Sequence, residues 1–126
     1  MRKASFIKAL ASVQPDIAPA LLLELDARHI VGVVRISAAD GFWEQHNGGD
    51  EILVVLQSRA DFTLRYPDTT EMLSASSGNI LRIPRGMPHG AKIYEEAHIL
   101  FFTPKEGNIS WTESEKVSTQ AVARHT

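Results

Sequence analysis

Gly78-Asn79-Ile80-Leu81-Arg82-Ile83-Pro84-Arg85-Gly86-Met87-Pro88-His89 is the stretch on which the fold turns. Ile80 to Ile83 is a short apolar strand. Pro84 and Gly86 supply a tight, rigid turn, and Pro88 presets the backbone so that His89 enters the next strand in a fixed direction. An imidazole delivered this way is preorganised to act as a ligand. Upstream, Trp43-Glu44-Gln45-His46-Asn47-Gly48-Gly49-Asp50-Glu51 places a loop imidazole before a carboxylate at the start of another strand. That strand, Glu51 to Gln57, is rich in Ile, Val and Leu on both parities, which predicts a strand covered on both faces. Glu51 then points with Leu53 and Val55, opposite to Ile52, Val54 and Leu56. A carboxylate on an apolar face needs a partner.

Outward from these two stretches the chain reads as β. Phe62, Leu64 and Tyr66 alternate with polar residues, and Pro67-Asp68 then supplies a turn. Met72 to Ser74, Ile80 to Ile83, Pro88 to Tyr94 and Ala97 to Thr103 continue a series at about 8–12-residue spacing, the pattern of a sandwich or barrel. Leu21 to Leu25 and His29 to Ile36 are two strands joined by Asp26-Ala27-Arg28. Ahead of them, Phe6, Leu10 and Val13 have helical spacing after a capping Ser5, and Pro15 ends the helix. The polar closing run SEKVSTQAVARHT has no period that buries a face. The expected organisation is a helical arm over 1–19, a β-barrel over 20–112 and a flexible tail over 113–126.

Composition narrows the function. The 126 residues suit one domain, and 44% apolar with 22% charged residues is ordinary for a globular protein. With no cysteine there is neither a disulfide framework nor a thiolate metal site, so a metal needs nitrogen and oxygen ligands. A net charge of −2 without a long basic run argues against nucleic acid as a partner. Lys8 interrupts the apolar run of a would-be leader and no stretch reaches membrane-spanning length, so a cytoplasmic protein is expected.

The second stretch resembles the second motif of the cupins in the register of Gly78, Pro84, Gly86 and His89. The first resembles the first cupin motif, with His46 five residues before Glu51. The segment from Leu25 to Pro104, closing on Glu96-Ala97-His98-Ile99-Leu100-Phe101-Phe102-Thr103-Pro104, is similar to small single-domain cupins like the C-terminal portion of mannose-6-phosphate isomerases. This resemblance implies an all-β fold, a double-stranded β-helix or jelly-roll barrel. It also implies a divalent metal, Mn, Fe, Zn or Ni, held by His46, Glu51 and His89. Glu44 stands in the fourth ligand position, where the family usually has histidine. Two His and two Glu favour harder ions such as Mn(II) or Fe(II). The same departure fits a relative that has lost metal and keeps a polar ligand pocket.

Beyond the ligands, Glu44 is the candidate catalytic base, and Trp43, Met87, Arg82 and His98 are candidate pocket residues. Arg82 and Arg85 offer a clamp for a substrate carboxylate or phosphate. Asp50 is expected on the opposite side of its strand, and His29 and His125 on the surface. A metal-dependent enzyme on a small polar or acidic substrate, of oxygenase or isomerase/epimerase type, is the leading expectation. A non-catalytic module binding a sugar or metabolite, with or without metal, and a barrel with a purely structural metal are the alternatives. The doubly apolar Ile52–Leu56 strand, with Leu21–Leu25, predicts a covered outer face and a homodimer.

Overall fold

The computed structural model describes residues 1–113. The expected tail, with His125, falls outside them except for Glu113. One helix, α1 (Phe6–Ser12), precedes ten strands: β1 (Ala20–Glu24), β2 (His29–Ile36), β3 (Phe42–His46), β4 (Glu51–Gln57), β5 (Arg59–Arg65), β6 (Thr70–Ser76), β7 (Ile80–Ile83), β8 (His89–Ile93), β9 (Ala97–Pro104) and β10 (Asn108–Thr112). They form two five-stranded antiparallel sheets, ordered β1-β2-β9-β4-β7 and β10-β3-β8-β5-β6. Consecutive strands repeatedly change sheet, as in a jelly-roll barrel. Among the described residues no helix is long and apolar enough to cross a membrane.

Side-chain alternation divides each strand between the barrel interior and its outer faces. Leu53 and Val55 of β4, Phe62 of β5, Leu81 and Ile83 of β7 and Ile99 of β9 meet in the buried core. Gly32 is required on β2 because a Cβ there would stand 2.5 Å from the Phe101 ring and 2.8 Å from the Ala20 carbonyl. The outer face of the first sheet is apolar as well: Ile52, Val54, Leu56, Leu100 and Phe102 are all half-buried.

Ser5 caps α1 by accepting from the Lys8 N–H, as its sequence position foretells. At the other end Arg35 donates to the carbonyls of Leu10 and Val13 while its guanidinium forks onto Glu96. The Asp16 carboxylate also accepts from the Ser37 N–H and hydroxyl. The arm is thereby fastened beside β2, where Val13 and Val33 are buried.

Two strands differ from the sequence expectation. Residues 42–46, read as part of a loop, form β3, and Asn108–Thr112, outside the expected series, form β10. Their inward positions carry Glu44, His46, Asn108 and Ser110 instead of the apolar residues that mark a strand. Polar groups serving the site removed the usual signal.

Candidate metal centre

Three peptide segments converge at one end of the barrel. β3 ends at His46, β8 begins at His89, and the two are neighbours in one sheet with Glu44 paired to His89. Glu51 opens β4 in the other sheet and reaches across the interior. The histidine strands are therefore side by side, and the carboxylate alone faces them. Gly86, at φ +75°, turns the chain ahead of His89 and donates its N–H to the His46 carbonyl at 2.8 Å. Asp50 strengthens the link, accepting from the Arg85 N–H at 2.8 Å and from Arg82 Nε at 3.0 Å. Arg85 Nε donates to the Asn47 carbonyl at 2.7 Å. The two ligand-bearing loops are thus tied directly to each other.

His46 Nε2 stands 3.1 Å and His89 Nε2 3.2 Å from Glu51 Oε1, and Glu44 Oε1 lies 4.0 Å from both imidazole nitrogens. One ligand atom from each of the four residues lies within 4.8 Å of the others. Ligands bonded at about 2.1 Å to one ion stand about 3 Å apart when adjacent, so these separations suit a single cation.

The proton positions strengthen the fit. His46 Nδ1 is 2.8 Å from Asn108 Oδ1, and the Asn108 amide nitrogen donates to the Pro104 carbonyl. Its oxygen is therefore the acceptor, and His46 Nδ1 carries the proton. His89 Nδ1 faces the Met87 carbonyl at 3.0 Å, with the same result. In the neutral rings both Nε2 atoms are bare lone pairs, directed with Glu51 Oε1 at a common point. These three atoms are buried without hydrogen-bond partners. Each such orphan costs about 1–3 kcal/mol, which a shared cation removes. Glu51 Oε2 is satisfied by the Thr103 hydroxyl at 2.6 Å. The residues present fit a divalent ion.

Without one, protons take part of its place. Burial pulls the His46 pKa down, but the Glu51 carboxylate beside it prevails and lifts it to about 9. Burial pushes Glu51 up, yet His46 and His89 hold it down at about 2. Glu44 is raised, first by desolvation of its carboxyl and then by the charge of Glu51. Its side chain is 38% exposed, against 4–5% for the other three ligands, so it marks the side open to solvent.

The four proposed ligands come together, but most of the expected pocket residues stand elsewhere. Trp43 alternates with Glu44 and lies on the outer face, where the Arg65 guanidinium stacks 4.1 Å from its ring and its Nε1 donates to Glu113 at 2.6 Å. Arg82 is outward on β7, bound to Asp50, and Arg85 is committed to the loop link. Neither arginine forms the expected anion clamp. His98 is outward on β9 and pairs with Glu96 at 2.7 Å, remote from the four ligands. Met87 packs on the core while its carbonyl orients His89. Asn108 and Thr103 support the ligands without having been singled out in sequence; an amide or hydroxyl on a strand carries no local mark of such a role.

No protein-family model matches the sequence, and no curated protein sequence matches it. Solved structures do. A cupin-2 domain protein from Shewanella frigidimarina superposes with a TM-score of 0.66 at 20% identity, over 79% of this chain and 92% of that one. Hydroquinone 1,2-dioxygenase from Sphingomonas sp. TTNP3, with 4-hydroxybenzoate bound, gives 0.64 at 13% identity, over 80% and 72%. FeII HppE in complex with substrate gives 0.58 at 13% identity, over 73% of this chain and 53% of that one. The chain folds as a small cupin domain. The finer likeness to mannose-6-phosphate isomerases rests on the sequence motifs alone.

Proposed function

We propose that this cupin domain is a metal-dependent enzyme of the oxygenase or isomerase/epimerase type, acting on a small molecule as a cytoplasmic homodimer. The observation that carries the reading is the convergence of three buried, unpartnered atoms, His46 Nε2, His89 Nε2 and Glu51 Oε1, with Glu44 beside them. A resident Mn(II), Fe(II), Zn(II) or Ni(II) would supply a Lewis acid with positions left for substrate. Two imidazoles and two carboxylates favour Mn(II) or Fe(II) within that set. The dioxygenase and the FeII protein among the structural neighbours support metal chemistry on this fold.

This chain's own residues perform defined tasks. Asn108 and the Met87 carbonyl hold the histidines in the ligating tautomer, and Thr103 orients Glu51. Glu44, on the solvent side with its pKa raised, either completes the ligand set or exchanges a proton with bound substrate. The homodimer is supported by the apolar outer face of β4 and β9.

Metal content by mass spectrometry, on untagged protein purified without added metal, tests the reading beside the His46→Ala/His89→Ala double variant. Near-stoichiometric Fe or Mn, lost in the variant, is expected. A metal-free wild type with intact fold would overturn the proposal and favour a metal-free ligand-binding barrel. Oxygen-uptake and carbonyl-isomerisation assays with Glu44→Gln then separate roles. A base variant keeps its metal and loses turnover; a ligand variant loses metal. Metal retained without turnover on any probe would favour a binding module.

A further inference from the structure

The distribution of positive charge bears on what can bind at the metal centre. Arg35, Arg59, Arg65, Arg82 and Lys92 are the lysines and arginines on strands, and every one occupies an outward position. Among the described residues the interior face of the barrel holds none. In the loops at the metal end Arg85 is engaged with the Asn47 carbonyl and Lys105 with Glu24, while Arg28 points its charge to solvent from the exposed β1–β2 turn. The ligand set itself, two neutral imidazoles and two carboxylates, cancels the charge of a divalent ion. An anionic substrate would add a charge that no described side chain in the interior offsets, and an uncompensated charge away from water is costly.

One large apolar side chain stands near the exposed ligand. Glu44 is the exposed member of the ligand set, and the next inward residue on β3 is Phe42, 47% exposed. Phe42 is paired with Thr112 across β10, and Glu44 with Ser110. A large exposed ring two residues from Glu44 on the same strand offers a surface for an apolar body.

We infer that the site takes an uncharged substrate, binding through hydroxyl or carbonyl oxygens with its apolar body against Phe42, and excludes molecules whose body carries a carboxylate or phosphate. The inference rests on the metal-centre reading and replaces the acidic substrate expected from Arg82 and Arg85.

The test is a matched pair, 4-methylcatechol and 3,4-dihydroxybenzoate, which share a chelating end and differ in the charge of the body. Each is titrated by calorimetry into Mn(II)-loaded protein whose metal content is counted before and after. At least tenfold tighter binding of 4-methylcatechol is expected, with little dependence on salt. Phe42→Ala should weaken it about tenfold, and Phe42→Lys should reverse the preference. Equal or tighter binding of 3,4-dihydroxybenzoate by the wild type overturns the inference even if both variants fail to fold. Failure to hold Mn(II) at all shows instead in the metal count, and overturns the metal-centre reading together with the inference built on it.

Discussion

His46 is where proton and metal compete. In the metal-free protein its pKa near 9 means that the ring is protonated at neutral pH, whereas ligation requires a bare Nε2. Metal binding at pH 7 should therefore release about one proton. Apparent affinity should rise about tenfold per pH unit between pH 6 and 8 and level off above about 9. Calorimetry in buffers of different ionisation enthalpy measures the proton directly; a pH-independent affinity would mean that His46 is already neutral. The same pair sets the stability of the metal-free form. A raised histidine pKa contributes stability that is present below the unfolded value of 6.5 and lost as pH rises through about 9. The depressed Glu51 contributes above 4.5, and this is lost as pH falls through about 2. The two shifts describe one interaction and are not added. Thermal unfolding of metal-free protein should be highest between about pH 4.5 and 6.5, and metal should abolish the loss at the alkaline end. At this scale the sequence was readable because His46, Glu51 and His89 sit in fixed register with prolines and glycines. Asn108 was not, since its role arises only when β10 pairs with β3.

Elements position these residues through a few backbone hydrogen bonds, and the turn before β8 is the most exacting. Gly86 adopts φ +75°, and a Cβ there would meet nothing nearer than Asn47 Oδ1 at 3.7 Å. There is room for a methyl group, so the cost of Gly86→Ala is backbone strain of about 1–2 kcal/mol. Relief of that strain would move the N–H that holds the His46 carbonyl. We expect a fall of several degrees in melting temperature, and a loss of metal affinity larger than a remote substitution of equal destabilisation produces. Chelator competition measures the affinity; an unchanged value would show that the turn does not set ligand geometry. The turn was legible from Pro84, Gly86 and Pro88, whose conformational limits are local. β3 and β10 were hidden for the opposite reason. Their inward residues answer to the site, so hydrophobic alternation fails where the function is concentrated.

The barrel as a whole was legible from the regular spacing of its strands and from the doubly apolar β4, whose two faces imply two coverings. One is the core around Leu53 and Val55. On the other side α1 lies beside β1 and β2, while Ile52, Val54, Leu56, Leu100 and Phe102 continue an apolar surface over β4 and β9. Such a contiguous patch on a sheet with antiparallel neighbours suits a self-complementary two-fold contact, in which the same residues serve both partners. Light scattering after size separation at micromolar concentration should give the mass of a dimer. Val54→Arg places a charge in the middle of the patch, outward from the core, and should yield a folded monomer that retains its metal ligands. A wild-type monomer would mean that the patch is tolerated in water. A dimer unaffected by Val54→Arg would place the contact on another face.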